Sequence, residues 1–396
     1  MTGDHVTIRV LAGVRDIDAA TWDALANPAP GEETPEYERN PFLRHAFFDA
    51  LEASGSASAR TGWLPHHLVA ERDGEVIGIL PCYVKSHSQG EYVFDYGWAD
   101  AFERAGGRYY PKLQCTVPFT PATGRRLLVG NGSDKRERQA VLAEGLRRVC
   151  EETGVSSAHI TFQRPDEARL LAEMGFLERN DQQFHWRNRE NAPYRDFDDF
   201  LATLASRKRK AIRRERAQAV ENVTIERLSG SALSEDVWDT FFRFYMDTGS
   251  RKWGRPYLTR DFYARIGDTM ADDIVLVMAR REGRHVAGAI NFAGSHTLYG
   301  RHWGCIEHHP MLHFECCYYQ AIDYAIEHGL RTVEAGAQGG HKLARGYMPT
   351  ITHSTHHITH PGLREAVADY LVAEREAVAH EAEAIERHGP FRKETT

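Results

Sequence analysis

Val69-Ala-Glu-Arg-Asp-Gly74-Glu-Val76-Ile-Gly78 returns about 210 residues later as Met278-Ala-Arg-Arg-Glu-Gly283-Arg-His-Val286-Ala-Gly288. Each copy is an apolar strand, an acidic residue followed by glycine, and a second apolar strand. That order specifies a tight hairpin, because a two-residue turn needs residues that tolerate positive φ. The second copy has one extra residue before its last glycine, which a changed turn or a bulge would add. Two such hairpins imply two copies of one fold, provided the flanking segments agree.

They agree in order. In the first half a strand-like run from Val6 precedes helical stretches at 19–26 and 42–54; after the hairpin come a strand at 92–96, a helix at 136–153, a strand at 158–162, a helix at 167–174 and a strand at 184–186. The second half opens with a helical region from Phe200 and a strand at 223–228. Helices at 235–247 and 260–270 follow, then strands at 274–279, 286–292 and 297–303, a helix at 314–328 and a strand at 332–335. Ala321, Tyr324, Ala325 and Ile326 give that last helix one broad apolar face. The expected architecture is α/β (α+β): two tandem domains, 1–192 and 193–396, each a mixed, mostly antiparallel sheet flanked by helices. A C-terminal helix at 363–388 closes the chain.

With 396 residues the chain has room for two separate cores. Charged residues make up 27% and hydrophobic ones 42%, an ordinary globular mixture. No apolar run approaches the roughly 20 residues of a membrane helix, and no apolar leader region is visible at the N-terminus. Six cysteines without a Cys-x-x-Cys pair point to reduced thiols in a cytoplasmic protein.

Net charge is −7, yet Arg207-Lys-Arg-Lys210-Ala-Ile-Arg-Arg214-Glu-Arg216 carries seven positive charges against one negative. On a helix over 206–219, Arg209–Arg213 and Lys210–Arg214 become like-charged i,i+4 pairs at about 0.2–0.5 kcal/mol each. With the i,i+3 pairs the cost reaches about 1–2.5 kcal/mol. Acidic neighbours such as Asp198 and Asp199 can balance it, or Arg207, Lys210 and Arg214 contact phosphates of a tRNA, a nucleotide-linked acceptor, a cofactor or an acidic carrier protein.

In Glu334–Pro349, glycines Gly336, Gly339, Gly340 and Gly346 surround Gln338, His341, Lys342 and Arg345 just after a strand. Glycines let backbone N–H groups approach a ligand, and Lys342 or Arg345 adds charge. A P-loop is excluded, since His341 precedes the lysine and Leu343 follows it. The plainer reading is a tight turn with surface charges. His353, His356, His357 and His360 suggest a metal hydrolase, but they sit in a β-branched run where alternate residues face opposite sides, splitting the ligand set.

The longer motifs Tyr299-Gly-Arg-His-Trp303-Gly, Leu312-His-Phe-Glu-Cys-Cys-Tyr-Tyr-Gln320 and Glu334-Ala-Gly-Ala-Gln-Gly-Gly-His-Lys342-Leu-Ala-Arg345-Gly-Tyr-Met-Pro349 resemble the FemAB-like family of predicted N-acyltransferases. So do Gly90-Glu-Tyr-Val-Phe-Asp95, Tyr109-Tyr-Pro-Lys-Leu113 and Pro118-Phe-Thr-Pro121. The resemblance implies tandem GNAT-like domains, as in Fem-type aminoacyl transferases, and a basic run opening the second domain. It also implies an acid, a glycine and a lysine at Glu334, Gly336 and Lys342. The implied activity is transfer of an acyl or aminoacyl group to a small-molecule amine, with peptidoglycan-related acceptors suggested by analogy. The donor is then a co-substrate, aminoacyl-tRNA or acyl-CoA, with no tightly bound cofactor.

Such chemistry needs a proton acceptor, a stabilised oxyanion and a held donor. Glu334, His313, Glu315 and His341 can take the proton, Glu334 being preferred. Arg301, Gly336, Gln338, Gly339, Gly340, Lys342 and Arg345 are expected to hold the donor, and Lys85, His87, Tyr110 and Lys112 to complete the acceptor site from the first domain. One departure matters: Arg301-His-Trp-Gly304-Cys-Ile306 ends in Ile where acetyl-CoA enzymes of this superfamily place a small residue against pyrophosphate. The competing reading is a non-catalytic protein that recognises tRNA or a cell-wall precursor.

Overall fold

The computed structural model describes residues 6–252, 256–336 and 339–392. Its strands are β1 (Val6–Leu11), β2 (Trp63–Pro65), β3 (His67–Arg72), β4 (Glu75–Leu80), β5 (Tyr83–Lys85), β6 (Lys112–Cys115), β7 (Ser157–Gln163), β8 (Leu177–Arg187), β9 (Thr224–Leu228), β10 (Ile274–Arg281), β11 (Arg284–Ala293), β12 (Thr297–Cys305), β13 (Thr332–Glu334) and β14 (Met348–Ile358). No helix among the described residues is long and apolar enough to cross a membrane.

Both repeated motifs are hairpins, β3–β4 and β10–β11. Their turns have positive φ at both central residues, 51° and 84° at Asp73 and Gly74, 50° and 79° at Glu282 and Gly283, the type I′ geometry. The apparent extra residue is not in the turn. Ala70 faces Gly78 and Ala279 faces Ala287 at the same offset (283 − 74 = 209), and each copy skips one residue, Ile77 or Val286, at the same place. Both copies therefore carry the same bulge, and Gly288 matches Ile79 rather than Gly78.

The compact units are Met1–Glu38 with Phe42–Asp181 and Ile351–His380, and Arg39–Pro41 with Gln182–Thr350 and Glu381–Thr396. A single cut after residue 192 does not describe them, because strand pairing assigns the ends differently. In the first unit β6 and β7 run parallel, and β14 from the far end of the chain lies antiparallel to β7. In the second, β12 and β13 run parallel, and the end of β8 lies antiparallel to β13. Each unit also holds an antiparallel trio, β1-β3-β4 or β9-β10-β11.

Packing follows the helical period. The helix Lys135–Thr153 buries Leu142, Leu146 and Val149 on one face, in a core with Leu68, Leu80, Leu113 and Ile160. The second core gathers Trp186, Phe200, Leu298, Ile322, Val333 and Tyr347, with roughly 1.5–3 kcal/mol of burial for each of the Phe, Leu, Ile and Val side chains. The helix Pro361–Arg387 sets Leu363, Val367 and Leu371 against Trp98, Tyr109 and Ile358 of the first unit.

Two expected elements differ. Residues 92–96 form no strand: Gly90 and Tyr92 have φ of 79° and 62°, so the chain turns there, and a helix Tyr96–Arg104 follows. The helix expected over 314–328 is interrupted by a π-helical turn, Glu315–Tyr319, ahead of Gln320–Glu327. The histidine-rich segment is a strand, β14, as its composition implies. His356 is buried with its Nδ1 2.7 Å from His159 Nδ1, and burial pushes both rings below the ordinary imidazole range, His159 to about 3. They form a neutral core pair.

Candidate functional site

In the second unit β12 and β13 pair over three steps, Thr297–Thr332, Leu298–Val333 and Tyr299–Glu334. There β13 ends, and the chain leaves through Gly336 at φ 75° while β12 continues to Cys305. On its other edge β12 bulges. Ala289 faces Trp303 and Asn291 faces Gly300, so Arg301 and His302 stand opposite Ile290 alone, which re-aims their side chains. Where the parallel strands part lies a cavity of about 90 Å³, bordered by Arg301, Trp303, His313, Cys317, Tyr318 and Ala335. That is room for about three waters or one small acyl group.

The His313 ring is the hub of this wall, 5.3 Å from Trp303, 5.5 Å from Tyr318 and 6.2 Å from His341. Tyr318 Oη lies 2.9 Å from Nε2 of the exposed His341. Behind them the short helical turn Gly340–Arg345 brings back Lys342, 2% exposed. Its Nζ donates to the carbonyls of Ala335 at 2.6 Å and Gly336 at 2.7 Å. Burial lowers its pKa to about 8, so the ammonium survives at neutral pH but only just. Gly339 has φ 112°, and a Cβ there would stand 2.3 Å from the His341 ring, which reserves the position for glycine. Gly340 begins the turn. Gln338 lies outside the described residues.

Several expected site residues are committed elsewhere. Arg345 lies 3.4 Å over the Phe314 ring, and its Nη1 and Nη2 donate at 2.7 Å to the His341 carbonyl and to Glu215. It is a fastener rather than an open phosphate contact. Glu315, 1% exposed, accepts from Arg216 through both oxygens, at 3.0 and 2.8 Å, and from Gln320 at 2.8 Å. A carboxylate so occupied is an ion-pair partner, not the base. Glu315→Gln is accordingly expected to lower stability by about 1.5–3 kcal/mol in a denaturation midpoint, with turnover per folded molecule unchanged. Glu334 stays a base candidate: it is buried at the parting point, between Tyr299 and His185 in register.

The basic helix is Ser206–Ala219, with Arg213 paired to Asp198 and Arg216 to Glu315 and Asp323. Arg207, Lys208, Arg209, Lys210 and Arg214 have no ion-pair partner among the described residues. At i, i+3 and i+7, Arg207, Lys210 and Arg214 share one exposed stripe. Glu215 on the same helix holds both Arg345 and Tyr319.

In the first unit, Lys112 and Lys85 are fully buried. Lys112 Nζ donates to Ser88 Oγ at 2.8 Å, to Glu91 at 2.7 Å and to Asp95. Lys85 sits 3.7 Å over the Trp63 ring, bonded to the Gln89 carbonyl, and burial lowers it to about 7. Tyr110 bonds Ser88, and His87 contacts the Thr61 carbonyl at 3.1 Å. The two lysines belong to a buried ionic cluster, which removes them as direct acceptor contacts. Sequence reasoning missed Cys317 and Tyr318 as cavity residues; the spacing 313–317 on a helix was the available signal.

The FemAB-like family, described as peptidoglycan biosynthesis/recognition, matches residues 13–393. No curated protein matched. Among solved structures, FemX aligns with a TM-score of 0.53 at 14% identity, covering 89% of this chain and 98% of its own. A conserved protein of unknown function from Bacteroides thetaiotaomicron VPI-5482 aligns with a TM-score of 0.51 at 13% identity, covering 88% of this chain and 99% of its own. A tandem GNAT protein from the clavulanic acid biosynthesis pathway is a weaker likeness, with a TM-score of 0.45 at 13% identity over 90% of this chain and 99% of its own. At such identities the likeness concerns the fold alone. The match across nearly all of its length places this chain in the FemAB-like family, whose description is peptidoglycan biosynthesis and recognition.

Proposed function

We propose that the second unit transfers an acyl or aminoacyl group from an activated donor to an amine of a peptidoglycan-related acceptor. The observation that carries the reading is Lys342. An ammonium has three protons; two are held by the Ala335 and Gly336 carbonyls where the parallel strands separate, and the third has no partner among the described residues. A fixed positive donor tied to Ala335, which borders a cavity sized for an acyl group, suits a carbonyl oxygen that becomes negative in the transition state. Arg301 adds charge to the cavity wall, His313 on that wall and Glu334 at the end of β13 are the candidate proton acceptors, and Gly336, Gly339 and Gly340 shape the turn that holds Lys342.

The donor is more in keeping with a large polyanionic carrier such as aminoacyl-tRNA than with acyl-CoA. A Cβ at Gly304 would lie 2.1 Å from the Phe244 carbonyl oxygen, so this glycine serves helix packing, and the following Ile306 is 52% exposed. Neither feature describes a pyrophosphate cradle. The stripe Arg207, Lys210 and Arg214 offers a carrier its phosphate contacts, and a reaction that uses charged tRNA would belong to the cytoplasm.

The test is incubation with tRNA charged with labelled amino acids and, separately, with labelled acyl-CoA, each with amine-bearing peptidoglycan precursors. Charged tRNA is expected to be consumed. Replacing the three stripe residues by glutamate is expected to weaken tRNA binding and to flatten its salt dependence by about 2–3 in log–log slope. Consumption of acyl-CoA alone would overturn the donor assignment. Tight precursor binding without transfer from either donor would replace catalysis by recognition.

A further inference from the structure

We propose that Cys317 is a nucleophile and that the acyl group rests on it as a thioester before reaching the amine. This rests on the transferase reading above and adds a covalent step to it. Of the six cysteines, Cys82, Cys115, Cys150 and Cys316 are buried, while Cys305 and Cys317 are partly exposed, and of these two Cys317 borders the cavity. Its neighbour Cys316 turns into an apolar cluster with Val277, Ala289 and Leu312. Cys317 packs against the edge of the same cluster but is not sealed in it, and it alone of the two adjacent thiols borders the cavity.

His313 and Arg301 border the same cavity as that thiol, and Lys342 interacts with it electrostatically. His313 lies four residues earlier, on the same face of the helical segment, and borders the same cavity. The segment between them enters the π-helical turn Glu315–Tyr319, a deformation that recurs at functional sites. Lys342 is close enough that a Cys317 thiolate would stabilise its ammonium, and the reverse holds equally: a neighbouring cation favours the thiolate, the reactive form. Arg301 adds a further positive group, on the cavity lining.

The steps balance without any further reagent. His313 takes the Cys317 proton, and Sγ attacks the donor carbonyl. The bond from that carbon to the carrier's oxygen or sulfur breaks, and the leaving group takes the proton from the imidazolium. The acceptor amine then attacks the thioester; the C–N bond forms, the C–S bond breaks, and the amine proton returns through His313 to sulfur.

The test uses the full chain with tRNA charged with a labelled amino acid, and in a separate run labelled acetyl-CoA, both without acceptor. After an acid quench, intact mass is expected to show one added acyl group, removable by neutral hydroxylamine and mapping to Cys317. Cys317→Ala is expected to lose the adduct and, when an amine-bearing peptidoglycan precursor is added, transfer as well. In wild-type protein, iodoacetamide at neutral pH is expected to modify Cys317 ahead of the other five cysteines and to block transfer, a readout that does not depend on the variant folding. Transfer at the wild-type rate by folded Cys317→Ala, or by the alkylated protein, would overturn the thioester while leaving direct transfer standing. Wild-type protein that transfers from neither donor would overturn both readings.

Discussion

Lys342→Ala is expected to lower transfer by about 10²–10³-fold, the loss seen when one preorganised donor to a developing oxyanion is removed. The wild-type pH profile carries the sharper test. Burial draws the Lys342 amine down to about 8, whereas an exposed lysine stays charged to about 10.4. If the ammonium stabilises the transition state, kcat/KM falls about tenfold per unit as pH rises past about 8. Lys342→Arg, which keeps its charge over this range, should retain part of the activity and lose that alkaline limb. A lysine that only ties down the Ala335 and Gly336 carbonyls would behave differently. Its alanine variant would melt earlier but transfer normally per folded molecule, and the rate would stay flat to pH 9.

The duplicated fold was legible because its signals are local. An acid-Gly pair between alternating apolar runs demands a two-residue turn, and 3.6-residue spacing marks the helix faces. What stayed hidden depends on partners far along the chain. Arg216 meets Glu315 across 99 residues and Arg345 meets Glu215 across 130, so no spacing rule separates these fasteners from binding residues. The repulsion read along the basic helix is partly relieved by Asp198, Glu315 and Asp323, while the expected helper Asp199 pairs with Arg189 and Arg195. Residues 92–96 looked like a strand from composition, but Asp95 is drawn to the buried Lys112, and tertiary charge pairing overrides β propensity there. Of the cavity, Arg301 and His313 could be anticipated from the sequence. The parting of β12 from β13 that opens it could not, because it follows from where a three-residue parallel pairing stops.

Lys112→Met is expected to cost about 3–5 kcal/mol of stability, as an uncompensated buried charge does. The native ammonium holds Glu91 and Asp95, whose side chains are 1% and 3% exposed, and methionine fills similar volume while satisfying neither. The Asp95 contribution to the pH dependence should change sign with it, while Glu91, which burial already raises to about 7 in the wild type, keeps its sign. In the wild type, burial alone would lift Asp95, but Lys112 and its hydrogen bond outweigh that and hold the carboxyl well below the ordinary range. Its contribution is therefore complete above the unfolded pKa of about 4 and is lost only as pH falls below that. Without Lys112, burial governs and Asp95 takes up a proton more readily folded than unfolded. Folding then binds protons, so the variant gains stability as pH falls from about 7 to 5 and its deficit against wild type narrows over that window. Urea midpoints at both pH values measure this, and adding Asp95→Asn should recover part of the loss by removing one orphaned charge. A Lys112→Met protein of wild-type stability whose KM for the amine acceptor has risen would return this lysine to the substrate and refute the buried-cluster assignment.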